Sequence, residues 1–236
     1  MTAVIVAPAL ALARRLVDGL GGRFSAELGI DVDAGADEVE RWFLAATLFG
    51  NRISAPIVER TYRSLAAAGV ATIANVEGRS WDDLVALLDA GGYVRYDYRT
   101  ATRLQELAAA VRERHGGRIT ALRRAREPAE LEAALDALPG WGPTTVRLFL
   151  RELRGVWPAA DPPLDERAER AASHLGLLPA PHRAAPLACI RAAAENAGVD
   201  VRDLEAALVR LALRHGRDLA ACPGGAACRA LATCPP

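Results

Sequence analysis

Lysine is missing from this chain: all 29 of its basic residues are arginine, and 29 acids balance them to a net charge of zero. Codon bias in a GC-rich genome is the plain reading of that preference, and the chemical consequence holds whatever the cause. No side-chain amine exists to form a Schiff base, so the N-terminal amine is the one group that could. Zero net charge argues neither for nor against a polyanionic partner; only the distribution of charge can. Aromatic residues are scarce at 5%, which with abundant alanine favours helices packed through small and aliphatic side chains. No run of roughly 18 or more uncharged apolar residues occurs, so no membrane span is expected. Residues 1–12 are apolar but short and lack a leading basic region, unlike a secretory signal. A soluble, cytoplasmic protein is the expectation. Tyr93-Val94-Arg95-Tyr96-Asp97-Tyr98 alternates like a strand but has no second strand-like run to pair with, so it reads as a loop leading into a helix. No internal repeat is found.

What is present is 236 residues that are 51% hydrophobic, enough for one large or two small domains with a substantial core. Apolar residues recur at helical spacing, with starts and stops to match. Helices are expected over 8–20, 36–49, 55–68, a Ser80-capped segment ending at Ala90, 99–115, 128–138, 143–153, 165–174, 188–197 and 201–215. The acids from Asp31 to Glu40 read as a solvated loop and helix start, where they suit the dipole. Arg112, Arg114, Arg118, Arg123, Arg124 and Arg126 form a basic stretch with two readings, a solvated helix face or a phosphate-facing patch. Between the helices over 128–138 and 143–153 runs Leu138-Pro139-Gly140-Trp141-Gly142-Pro143-Thr144-Thr145. Pro143 suits the first helical position, and the glycines permit a tight turn. Such a turn opening a helix offers amides and a positive dipole end to an anion, phosphate above all. An ordinary helix–helix connection is the plain alternative.

That turn resembles the helix-hairpin-helix of the endonuclease III-like DNA glycosylases. The segment Leu164-Asp165-Glu166-Arg167-Ala168-Glu169-Arg170-Ala171-Ala172-Ser173-His174-Leu175-Gly176-Leu177 resembles the one that carries that family's catalytic aspartate. Leu48-Phe49-Gly50-Asn51, Gly91-Gly92-Tyr93-Val94-Arg95-Tyr96 and His215-Gly216-Arg217 extend the similarity over most of the chain from about residue 36. The resemblance implies an all-α fold of two helical domains with a DNA-binding cleft between them. A six-helix barrel over 36–154 would contain the hairpin (128–153), and 1–35 with 155–236 would form the second domain. It implies excision of a damaged or modified base that has been flipped out of duplex DNA, by a monomer.

The same resemblance assigns roles. Leu138, Gly140, Trp141, Gly142, Thr145 and Arg147 would grip the backbone, often with a monovalent cation at the hairpin, a contact blind to sequence. Asn51, with Arg52 beside it, falls where the family places a residue that fills the gap left by the extruded base; a loop-capping Asn is the other reading. Asp165 would stabilise the charge that builds on the sugar. It can equally cap the helix it begins, and the two roles are compatible. Asp161 is a weaker competitor outside the matching segment, and the connector to Asp165 is a little longer than usual in the family.

Two departures shape the expected chemistry. Thr144 stands where lyase-competent members carry lysine, which implies a hydrolytic glycosylase without lysine-dependent lyase activity. Ala46 stands where adenine-removing members carry glutamate, which disfavours adenine. Many members hold a [4Fe–4S] cluster through four C-terminal cysteines, and clusters in general want four thiolates. Here Cys228-x5-Cys234 matches the final spacing, but Cys222-x5-Cys228 lacks the usual close inner pair and Cys189 reads as core. A cluster, a metal-free loop and a zinc site using His215 all stand open. Trp141, Tyr93, Tyr96 and Tyr98 are candidates for stacking on a base, against plain packing. Two other functions also remain: a non-catalytic binder of damaged or branched DNA, and a lyase using the N-terminal amine.

Overall fold

The computed structural model describes residues 6–51, 53–178 and 185–215, with side chains from residue 12 onward. Every regular element among them is helical. In chain order these are α1 (Val6–Leu20), α2 (Phe24–Glu27), α3 (Ala36–Phe49), α4 (Ala55–Ala67), α5 (Trp81–Ala90), α6 (Asp97–His115), α7 (Pro128–Asp136), α8 (Pro143–Glu152), α9 (Glu166–His174), α10 (Pro186–Ala197) and α11 (Val201–His215). Two 3-10 turns, Ile73–Gly78 and Ile119–Arg124, join them. The chain divides into two compact units, Leu28–Pro162 and Met1–Glu27 with Pro163–Pro236. The first extends past the span 36–154 at both ends. Ile30 and Val32 before α3 are buried, and Trp157 after α8 meets Phe149 edge-on at 5.7 Å.

In the unit Leu28–Pro162, α3 is the core helix. It packs against α4, α8 and both 3-10 turns, and Val39, Trp42, Phe43, Leu44, Ala45, Ala46 and Leu48 are all buried. Over residues 42–46 the helix is apolar on every side, and such a stretch has to be enclosed in this way. Glu40 departs from the solvated acidic stretch expected there: it is 5% exposed. Its carboxylate accepts from the Ile119 and Thr120 amides at 3.2 and 2.9 Å and from the Thr120 hydroxyl at 2.7 Å. It thus satisfies the orphan donors that open the second 3-10 turn. Ser80 starts α5 as its spacing predicts, its Oγ accepting from the Asp83 amide at 3.1 Å while Asp83 accepts from the Ser80 amide. In the tyrosine-rich run residues 94–96 form a turn, and α6 takes in the rest, beginning at Asp97, two residues ahead of expectation.

In the other unit α11 packs against α9, α1 and α10. Leu12, Leu16, Leu20, Ile190, Leu204, Leu208 and Leu211 interdigitate there with Ala168, Ala171, Ala172, Ala194 and Ala207. Alanine at these contacts lets helix axes approach closely, which is the use the composition suggests.

Candidate nucleic-acid interface

The turn between α7 and α8 is closed by the Trp141 amide, which donates to the Leu138 carbonyl at 3.1 Å. Gly140 lies at φ +78°, where a side chain would be strained. The Trp141 ring faces inward. It stacks on Phe43 at 4.5 Å, meets Phe149 edge-on at 5.4 Å and donates from Nε1 to Thr47 Oγ1 at 3.2 Å. Trp141 and the equally buried Leu138 therefore shape the turn from below. Trp141 can contact a partner there through its backbone, not by stacking its ring on a base.

Gly142 is the N-cap residue of α8; no side chain caps it, and no acid occupies the first turn. A Cβ added at Gly142 would meet nothing within 4 Å. The amides that open α8 thus have no internal anion, and the dipole adds positive character at that end. Thr144 and Arg147 are exposed on α8, while Thr145 is buried. Thr145 Oγ1 sits so near Gly50 that a Cβ there would lie 2.7 Å from it. The start of α8 is in this way keyed to the end of α3, which leads directly to Asn51.

Asn51 is half-buried and donates from Nδ2 to Tyr93 Oη at 2.9 Å; Tyr93 in turn donates to the Leu48 carbonyl at 2.5 Å. Burial pushes the Tyr93 phenol up to about 12, against the opposing Asn51 hydrogen bond and the charge of Arg103, so it stays a neutral donor. Tyr93 is core, not a stacking surface. Tyr96 is half-buried with the Arg95 guanidinium 5.4 Å from its ring centre. Tyr98 is exposed and leans on Trp81 at 5.3 Å. Arg52, beside Asn51, lies outside the described residues.

One residue that no spacing marks joins this group. Arg103 of α6 lays its stem along the turn: a Cβ added at Gly140 would meet Arg103 Cδ at 3.3 Å. Arg103 is half-buried and, among the described residues, no carboxylate pairs with it. The basic stretch, by contrast, is largely engaged. Arg112 pairs with Glu77 at 3.1 Å, Arg118 with Asp37, and Arg124 donates to the Ala121 carbonyl. Arg114 donates to the Ala137 carbonyl at 2.9 Å, capping the end of α7 just before the turn. Arg123 and Arg126 are exposed.

Asp165 belongs to the other unit. It is half-buried and caps α9, its Oδ1 accepting from the Arg167 amide at 2.8 Å. Its own amide donates to Oε1 of the fully buried Glu205 at 3.0 Å. Backbone and side chain are thus both fixed. Asp161, its competitor, pairs with Arg154 at 2.6 Å.

Cys189 is half-buried against the α1–α11 core, as a small apolar residue would be. Cys222, Cys228 and Cys234 lie outside the described residues. Among the described residues no group of three or more His, Cys, Asp or Glu is arranged to hold a metal ion. No protein-family model matches the chain, and no curated protein matches it.

Proposed function

We propose that this chain is a DNA N-glycosylase that hydrolyses the bond between sugar and a damaged or modified base flipped out of a duplex. The observation that carries the reading is the open start of α8. Behind the Gly140-Trp141-Gly142 turn, backbone amides without a side-chain cap are keyed through Thr145 and Gly50 to the residue best suited to filling a vacated base position, Asn51. Amides of this kind hold a phosphate, and Arg103 adds a cation beside them.

Asp165 supplies the chemistry in this reading. As the base departs, positive charge grows on the sugar, and a rigid carboxylate lowers that barrier without reorganising. A unit charge pair about 4 Å apart at an effective dielectric of about 20 is worth about 4 kcal/mol, or about three powers of ten in rate. Water is the nucleophile, because Thr144 carries a hydroxyl and no lysine exists anywhere in the chain. The same carboxylate can orient that water.

A second reading, a DNA-binding protein without catalysis, is favoured by one observation: Asp165 Oδ1 already serves as a helix cap. A panel of duplexes, each bearing one altered base and assayed with and without alkali, separates the two. Strand breaks that need alkali indicate hydrolysis. Breaks without alkali, with borohydride trapping through the N-terminal amine, indicate a lyase, and no breaks on any duplex that is bound indicate a binder. Asp165→Asn keeps a side-chain oxygen for the cap and should retain duplex binding while losing about a thousandfold in base release. Native-rate release by that variant would remove Asp165 from the chemistry.

A further inference from the structure

We propose, resting on the reading of Asn51 as the residue that enters a vacated base position, that Arg60 and Arg95 hold phosphates of the undamaged strand. A side chain in such a position has one sugar–phosphate backbone on either side of it. On one side of Asn51 are the open amides of α8, keyed to it through Thr145 and Gly50. On the other is Tyr93, which accepts from Asn51 Nδ2 at 2.9 Å and belongs to the turn segment 91–96.

Two exposed cations lie on that segment. Gly92 is at φ +89°, and a Cβ added there would meet Arg60 Nη2 at 3.4 Å. The guanidinium from α4 thus rests beside bare backbone. Arg95 holds its guanidinium 5.4 Å from the centre of the Tyr96 ring, which is 6.4 Å from that of Tyr93. An aromatic face orients the planar fork without consuming its N–H donors.

Among the described residues no carboxylate pairs with Arg60 or Arg95. The acids next to them in sequence are engaged elsewhere: Glu59 pairs with Arg63 at 3.9 Å, and Asp97 accepts from the Tyr98 amide at 2.7 Å. Arg99, exposed and one helical turn before Arg103, carries the positive charge on along α6 toward the α7–α8 turn. Guanidinium forks match phosphate oxygens two at a time. A strand backbone offers such anions in a row, and contacts to it position the duplex without reading its sequence.

The test is binding of the full chain to a duplex with one tetrahydrofuran abasic analogue, which presents a vacated base position and no base to release. Each phosphate contact contributes about 0.9 to the slope of log affinity against log salt. Arg60→Gln and Arg95→Gln should each lower the slope by about 0.9 and together by about 1.8. Arg112→Gln, whose native side chain pairs with Glu77, should leave it unchanged. Uncharged methylphosphonate linkages then assign the strand. Beside the gap in the undamaged strand they should weaken native binding and add nothing to the loss in the double variant. In the gapped strand they should weaken both alike. An unchanged slope in the double variant overturns the proposal, as does coupling to the gapped strand alone. Should a variant not fold, the native chain decides: binding indifferent to neutralised linkages in the undamaged strand overturns it. A chain that binds this duplex with the expected couplings but releases no altered base loses the glycosylase reading and keeps the strand contact. A chain that releases a base while the slope stays unchanged keeps the reading and loses the contact, and one that binds no duplex loses both.

Discussion

At the scale of single residues, Glu40 and Arg103 carry the most specific expectations. Glu40→Ala removes the acceptor of two amides and a hydroxyl beneath the second 3-10 turn. Each buried donor left unsatisfied costs about 1–3 kcal/mol, so urea unfolding should show a loss of about 3 kcal/mol or more; a loss below about 1 kcal/mol contradicts that role. Arg103→Met keeps the stem beside Gly140 and deletes the charge. If the guanidinium meets a phosphate, duplex affinity should fall about tenfold, and the slope of log affinity against log salt should drop by about one. Thermal stability should hardly move, and an unchanged salt slope would place Arg103 away from DNA. Neither residue was legible as special. Thr120 is 80 positions from Glu40, and Arg103 meets a turn on another helix, so local spacing says nothing of either contact. Asp165 as a cap was legible, because an acid before a helical stretch is a local rule.

The elements themselves were readable wherever a local signal closes them. The bounds of α3 and the reciprocal Ser80–Asp83 cap of α5 match the sequence reading, since periodicity and capping chemistry act within a few residues. The four-residue α2 and both 3-10 turns escaped it, being too short to show a period. The joint between α3 and α8 could not be read at all, although the function proposed depends on it. Gly50→Ala tests that joint. The new methyl would lie 2.7 Å from Thr145 Oγ1 and 3.2 Å from the Thr47 carbonyl, and overpacking of this kind costs about 1–3 kcal/mol. Stability and DNA affinity should fall together, because α8 is pushed off the end of α3. Thr145→Ala in the same chain removes the nearer clash and should return part of the loss, giving a coupling energy of about 1 kcal/mol in a double-mutant cycle. Strict additivity would mean that the contact does not position α8.

At the scale of the whole molecule, one unit is built from both ends of the chain. Arg14 donates to the Ala197 carbonyl at 2.8 Å and Arg23 pairs with Asp203 at 3.2 Å, ties that span 183 and 180 residues of sequence. Asp200, just before α11, belongs to this network through Arg202, whose guanidinium and amide both donate to it. Burial by itself would raise the Asp200 carboxyl, but the hydrogen bonds from Arg202 and the charges of Arg202 and Arg23 outweigh it, and the net shift is downward. A carboxyl lowered by folding contributes stability that is fully present above its unfolded value of about 3.9 and is lost as pH falls through the folded value. Asp200→Asn should therefore destabilise this unit at pH 7, and the gap to the native chain should shrink steadily below about pH 4. The tryptophans separate the two units: Trp42, Trp81, Trp141 and Trp157 all lie within Leu28–Pro162. Helix content by circular dichroism reports both units, whereas tryptophan fluorescence reports that one. The Asp200→Asn shift should appear in the dichroism transition and leave the fluorescence midpoint in place. Equal shifts in both probes would mean that the chain unfolds as one cooperative body, and a gap that persists undiminished at pH 2 would mean that the carboxylate charge is not what stabilises the start of α11.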